Sequence, residues 1–76
     1  MAIEIQLHGF IVQANGDQVM CEARHPKATL WSVWVAKRKG DNVAVLFDSD
    51  YATEEDAFAA LEQQCSLYPK ADVEIH

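Results

Sequence analysis

The chain is short of the residues from which most recognisable sites are built. Its three glycines stand singly at positions 9, 16 and 40, so no glycine-rich loop is present to cradle a phosphate. Its two cysteines, Cys21 and Cys65, lie far apart and outside any C-x-x-C pair. They make no disulfide framework and read as two buried thiols in a reducing compartment. Basic residues are scarce, with six Lys and Arg against twelve Asp and Glu and a net charge of −6. A field of that sign repels phosphate backbones and anionic headgroups, which argues against direct nucleic-acid or membrane binding and favours a basic partner. No apolar run approaches the length of a bilayer span. Met1-Ala2-Ile3-Glu4 lacks the basic start and long apolar stretch of a signal peptide. The expected location is therefore cytoplasmic.

What is there is globular. Half of the 76 residues are hydrophobic, and the length suits one domain spanning 1–76. Ile3, Ile5 and Leu7 alternate with Glu4, Gln6 and His8, the period of a half-buried strand. Large apolar groups then continue at Phe10 and Val12, on the other parity, so a bulge at Gly9 is expected to switch the inward face. Ala14-Asn15-Gly16-Asp17 predicts a hairpin with a type I′ turn, and Gln18 to about Ala23 is the return strand. Pro26 marks a loop. Leu30 to Lys37, rich in tryptophan and valine, is a third strand. After the turn Lys39–Asn42 comes a fourth strand, Val43–Phe47, whose unbroken apolar run suggests that it is well covered.

Thr53 is placed to cap a helix, and Glu54, Glu55 and Asp56 fill its first turn, where carboxylates complement the macrodipole. Phe58, Leu61, Cys65 and Tyr68 recur at helical spacing and form the expected packing stripe. Pro69 ends the helix, and Val73 and Ile75 alternate within a short final strand. The order is ββββαβ, an α+β fold with a twisted, mainly antiparallel sheet and one helix on one face. A right-handed crossover makes the last strand parallel to the fourth. It is expected to lie antiparallel beside the first.

Few side chains suggest chemistry. Val43–Asp50 resembles the strand-plus-DxD start of haloacid-dehalogenase-type phosphatases, where Asp48 would be nucleophile and Asp50 general acid. Ala52 departs from that motif, and the chain offers little room for the lysine and second acidic pair such a site uses. Asp48 and Asp50 also resemble the opening of an EF-hand loop, which would need Gly at Thr53 and Glu at Ala59. Cys21 and His25 are four apart, and His8 could lie on a neighbouring strand. Cys21 shares the parity of apolar Val19, however, and reads as an inward, buried thiol beside a loop histidine rather than as part of the three or four ligands zinc needs. No cofactor is implied, and the expectation is a protein that is not an enzyme.

Partner binding is the expected function, and two features carry it. Asp48, Asp50, Glu54, Glu55 and Asp56 concentrate charge in one segment that could meet a basic surface. Trp31 and Trp34 have opposite parity, so one should face the helix and the other the open face of the sheet, where an apolar patch would mark an interface. In size, acidity and compact layout the chain resembles small phage-encoded inhibitor proteins of the anti-CRISPR type. That resemblance implies that the segment Asp48–Asp56 occupies the basic nucleic-acid-binding groove of a larger protein complex. The alternatives are a homodimeric structural or housekeeping protein and a weak metal or small-ligand binder.

Overall fold

A computed structural model of the chain describes Ala2 to His76. The elements are β1 (Ala2–Val12), β2 (Gln18–Cys21), β3 (Leu30–Lys39), β4 (Asn42–Tyr51), α1 (Glu54–Leu67) and β5 (Asp72–Ile75). The ββββαβ order and the mainly antiparallel sheet are as the periodicity dictates. The strands run β2-β1-β3-β4, with β5 bonded to β1. One edge of β1 is thus shared. Glu4–Leu7 pair with Asp72–Ile75, and Gly9–Val12 pair with Cys21–Gln18. β1 and β4 both run against β3. A strand parallel to β4 must therefore be parallel to β1, and β5 is. The antiparallel placement expected for β5 beside β1 is corrected on that ground.

The core lies between the inner face of the sheet and α1. Ile5 and Leu7 of β1 and Val33 and Val35 of β3 are wholly buried. Trp31 joins them, and its Nε1 donates to the Ala23 carbonyl at 2.7 Å. The helix approaches through small residues. Ala57, Ala60, Leu61 and Gln64 are its buried positions, while Phe58, Cys65 and Tyr68 are half-buried on its flanks. The packing face is thus rotated from the Phe58 stripe, because alanines bring the helix axis closer to the sheet than phenylalanine would. Both cysteines are half-buried rather than buried, Cys21 near the end of an edge strand and Cys65 on a helix flank. Thr53 caps as expected, its Oγ1 accepting from the Asp56 amide at 3.1 Å.

Three local expectations change. Gly9 is not a bulge, because β1 and β3 stay in register from Ala2↔Arg38 to Phe10↔Leu30. Glycine is needed there because the chain after β2 crosses the inner face. A Cβ at Gly9 would lie 2.6 Å from the Glu22 carbonyl oxygen and 3.1 Å from Ala23 Cα. The first hairpin is not a type I′ turn either. Gly16 has φ +89°, but no non-glycine residue has positive φ among the described residues. The Gly16 amide donates to Gln13 O at 2.9 Å, and the Asn15 side chain accepts from the Asp17 amide. The result is the three-residue loop in which a turn is closed by a left-handed glycine.

The largest change concerns β4. It runs on through Asp48, Ser49 and Asp50, and it is an edge strand. Val43, Val45 and Leu46 are 46%, 57% and 42% exposed, so the strand is not well covered. The pairing shifts from Val35↔Phe47 to Ala36↔Val45, which leaves Leu46 as an extra residue on β4. This bulge turns an apolar run that looked like a buried strand into two alternating halves of opposite parity.

Candidate functional site

Because α1 covers one face, the other face of the sheet is open. Even-numbered residues of β1 and β3 point to it. The pairing sets them in rows: Gln6–Trp34–Asp48, His8–Ser32–Asp50 and Glu4–Ala36–Val45. β5 adds Asp72 beside Glu4 and Glu74 beside Gln6. Trp34 therefore sits near the middle of the open face, half-buried, with a carboxylate row on either side. Val43 and Val45 extend the apolar part of the face along β4, on the side of the bulge where odd numbers point outward.

The charges on this face are mostly unbalanced. Arg38 Nη2 lies 3.2 Å from Glu4 Oε2, in a pair that is largely solvated, and such pairs contribute little to stability. Asp48 and Asp50 are exposed and project from alternate positions of an extended strand, which holds them about 7 Å apart. An extended strand cannot fold around an ion as a calcium loop does. Among the described residues no three His, Cys, Asp or Glu side chains converge as a metal site would require.

At the junction of β1, β2 and β5 two histidines meet. The His8 and His76 rings stack with centroids 4.3 Å apart and planes 6° from parallel. His8 Nε2 donates to Gln6 Oε1 at 2.9 Å, while its Nδ1 is buried without a partner. Burial holds the His8 pKa below its usual value of 6.5, the nearby His76 adds to the depression, and Glu74 opposes it. The same junction is closed on the backbone. The His76 amide donates to Leu7 O at 3.0 Å, and the Ala23 amide donates to His76 O.

The residues expected to bind a partner fall on different surfaces. Trp34 is on the open face, whereas Trp31 is only 8% exposed and belongs to the core. Asp48 lies in Trp34's row and Asp50 in the next, but Glu54, Glu55 and Asp56 are exposed on the first turn of the helix, in the other layer. The acidic segment is therefore continuous in sequence and divided in space. Glu4, Asp72, Glu74 and Val45 were not singled out beforehand, yet they complete the face. A signal for three of them exists. Glu4-Ile5-Gln6-Leu7-His8 and Asp72-Val73-Glu74-Ile75-His76 share one pattern of acid, then alternation, and the parallel pairing sets them side by side.

Compared with protein-family models, with curated proteins and with solved structures, the chain matches none.

Proposed function

We propose that this protein is a non-catalytic protein-binding module that docks its open sheet face on a basic surface of a larger partner. The observation that supports this most is the placement of Trp34. A half-buried tryptophan lies on an uncovered sheet face, beside exposed Val43 and Val45, within a border of Glu4, Asp48, Asp50, Asp72 and Glu74. An apolar centre with a polar border is the anatomy of a protein interface, and tryptophan is a frequent anchor. The net charge of −6 would steer the encounter with a cationic surface and repel free nucleic acid. The resemblance in size, acidity and layout to small phage-encoded inhibitors suggests that the basic surface is one that otherwise binds nucleic acid. Occupying it would block the larger complex without any chemistry.

The test is site-specific photocrosslinking in cells, with the crosslinker at Asp50 on the open face or at Gln63 on the exposed side of the helix. The expected result is one adduct between position 50 and a protein other than this chain, sensitive to salt and lost in Trp34→Ser while the circular dichroism is unchanged. Equal capture from both positions, or an adduct indifferent to Trp34→Ser, would refute the reading.

A further inference from the structure

β4 is bonded to β3 on one side, and among the described residues nothing pairs with its other edge. Ten residues of strand leave roughly 33 Å of edge. Natural edges are commonly blunted by proline or lysine, and Asn42–Tyr51 contains neither. Its bulge and its two aspartates do restrict which strand could be added. We propose that this edge pairs antiparallel with β4 of a second copy of the chain, joining the two sheets into one.

The bulge selects the register. In a regular antiparallel pair, opposite residues share a face only if their numbers sum to an even value. Here outward-facing residues are odd before Leu46 and even after it. A two-fold axis between Leu46 and Phe47 therefore matches faces on both sides of the bulge. Val43 then lies opposite Asp50 of the second copy, Ala44 opposite Ser49, and Val45 opposite Asp48. Even-sum registers that set Asp48 against Asp48, or Asp48 against Asp50, would oppose like charges directly, which is destabilising.

Charge complementarity favours the same arrangement. Arg38 pairs with Val43 on the open face. The second copy's Asp50 would lie one strand beyond Val43, at about 10 Å between Cα atoms, a span that an arginine and an aspartate side chain cover together once Arg38 turns from its solvated contact with Glu4. Lys37 and Lys39 flank the same half of β4. Each acidic half of β4 thus meets the half bordered by the basic turn. An interface one strand wide falls at the small end of specific interfaces, below about 1,200 Å², so a reversible dimer is expected rather than an obligate one.

This inference does not rest on the sheet-face reading, and its test contains no other protein. Sedimentation equilibrium of the purified chain over a wide concentration range should show reversible conversion from 8.5 kDa to twice that mass. Val45→Glu, at a position 57% exposed, sets a carboxylate against Asp48 of the second copy and should weaken the dimer by about tenfold with unchanged circular dichroism. Asp50→Lys should weaken it too, because a lysine would then approach Arg38. Glu62→Lys makes the same charge change on the exposed helix surface and should leave the dimer unweakened. A single 8.5 kDa species up to millimolar concentration would overturn the proposal. So would a dimer that survives Val45→Glu, or one abolished by Trp34→Ser and not by Val45→Glu, since that pattern would place the contact on the sheet face.

Discussion

Replacing Gly9 by alanine would ordinarily stabilise a strand by roughly 0.5–1 kcal/mol, through the lower entropy of the unfolded chain. Here it should do the opposite. The added methyl would lie 2.6 Å from the Glu22 carbonyl oxygen and 3.1 Å from Ala23 Cα. Both are backbone atoms, so no rotamer change relieves the contact. The segment cannot lift freely either. Ala23 has no exposed surface, its carbonyl accepts from the Trp31 indole at 2.7 Å, and its amide donates to His76 O. Overpacking costs about 1–3 kcal/mol, and a buried indole N–H left without its acceptor costs about 1–3 kcal/mol more. After the entropy gain is subtracted, the net loss should be about 1–5 kcal/mol. The whole domain has on the order of 5–10 kcal/mol, and each kcal/mol lost should lower the melting temperature by roughly 4–8 °C. Urea titration followed by tryptophan fluorescence reads this directly, since Trp31 reports on the displaced bond. A Gly9→Ala variant within about 0.5 kcal/mol of the wild type would show that the crossing segment does not press on β1.

Leu61→Ala should cost about 2–5 kcal/mol in the same titration, because Leu61 is 5% exposed in the helix–sheet core. Gly16→Val should cost about 1–2 kcal/mol or more, although nothing lies within 4 Å of the new Cβ, because the backbone there has φ +89°. A denaturation midpoint equal to the wild type's would contradict that loop geometry. Protonation provides a further test through His8. Its folded pKa lies below 6.5, so the unfolded chain binds the proton more tightly. Stability from this group is therefore complete above about pH 6.5 and declines as the pH falls through the folded value. The midpoint difference between wild type and His8→Gln should narrow from pH 7.5 to pH 5.5, and a difference independent of pH would refute the depressed pKa.

Much of the fold was legible because the chain alternates cleanly where one face is buried. Ile3–Leu7, Thr53 with its three acids, and Val73–Ile75 each carried their signal locally. The misread positions share a cause, which is that the deciding partner lies far away in sequence. Gly9 is a glycine because of Glu22 and Ala23, and a single strand pattern cannot show what crosses over it. The exposure of Val43, Val45 and Leu46 follows from β4 being at the edge, which is a matter of strand order and not of hydrophobicity. The expected fourth strand stops at Phe47, yet Asp48-Ser49-Asp50-Tyr51 continues it, with the aspartates outward and Ser49 and Tyr51 inward, a pattern that charge alone obscured. The candidate face was half legible. The parity of Trp34 and the two aspartates of β4 could be read from the chain, whereas the β5 acids become neighbours only once that strand lies parallel to β1.

The shared edge of β1 has a consequence for how the molecule opens. β2 belongs to a hairpin and β3 and β4 to another, but β5 is tied to the sheet by four paired residues, all of them exposed, and by the closure at His76. It contributes only Val73 and Ile75 to the inner side, each about half exposed. The C-terminal strand is therefore a unit that can be released while the four-stranded antiparallel sheet and its helix persist. Native-state amide hydrogen exchange would register this as a low-energy sub-global opening. The amides of β5 that bond to β1 would exchange before those linking β1 to β3, and the β1 edge at Glu4–Leu7 would be bared for as long as the opening lasts.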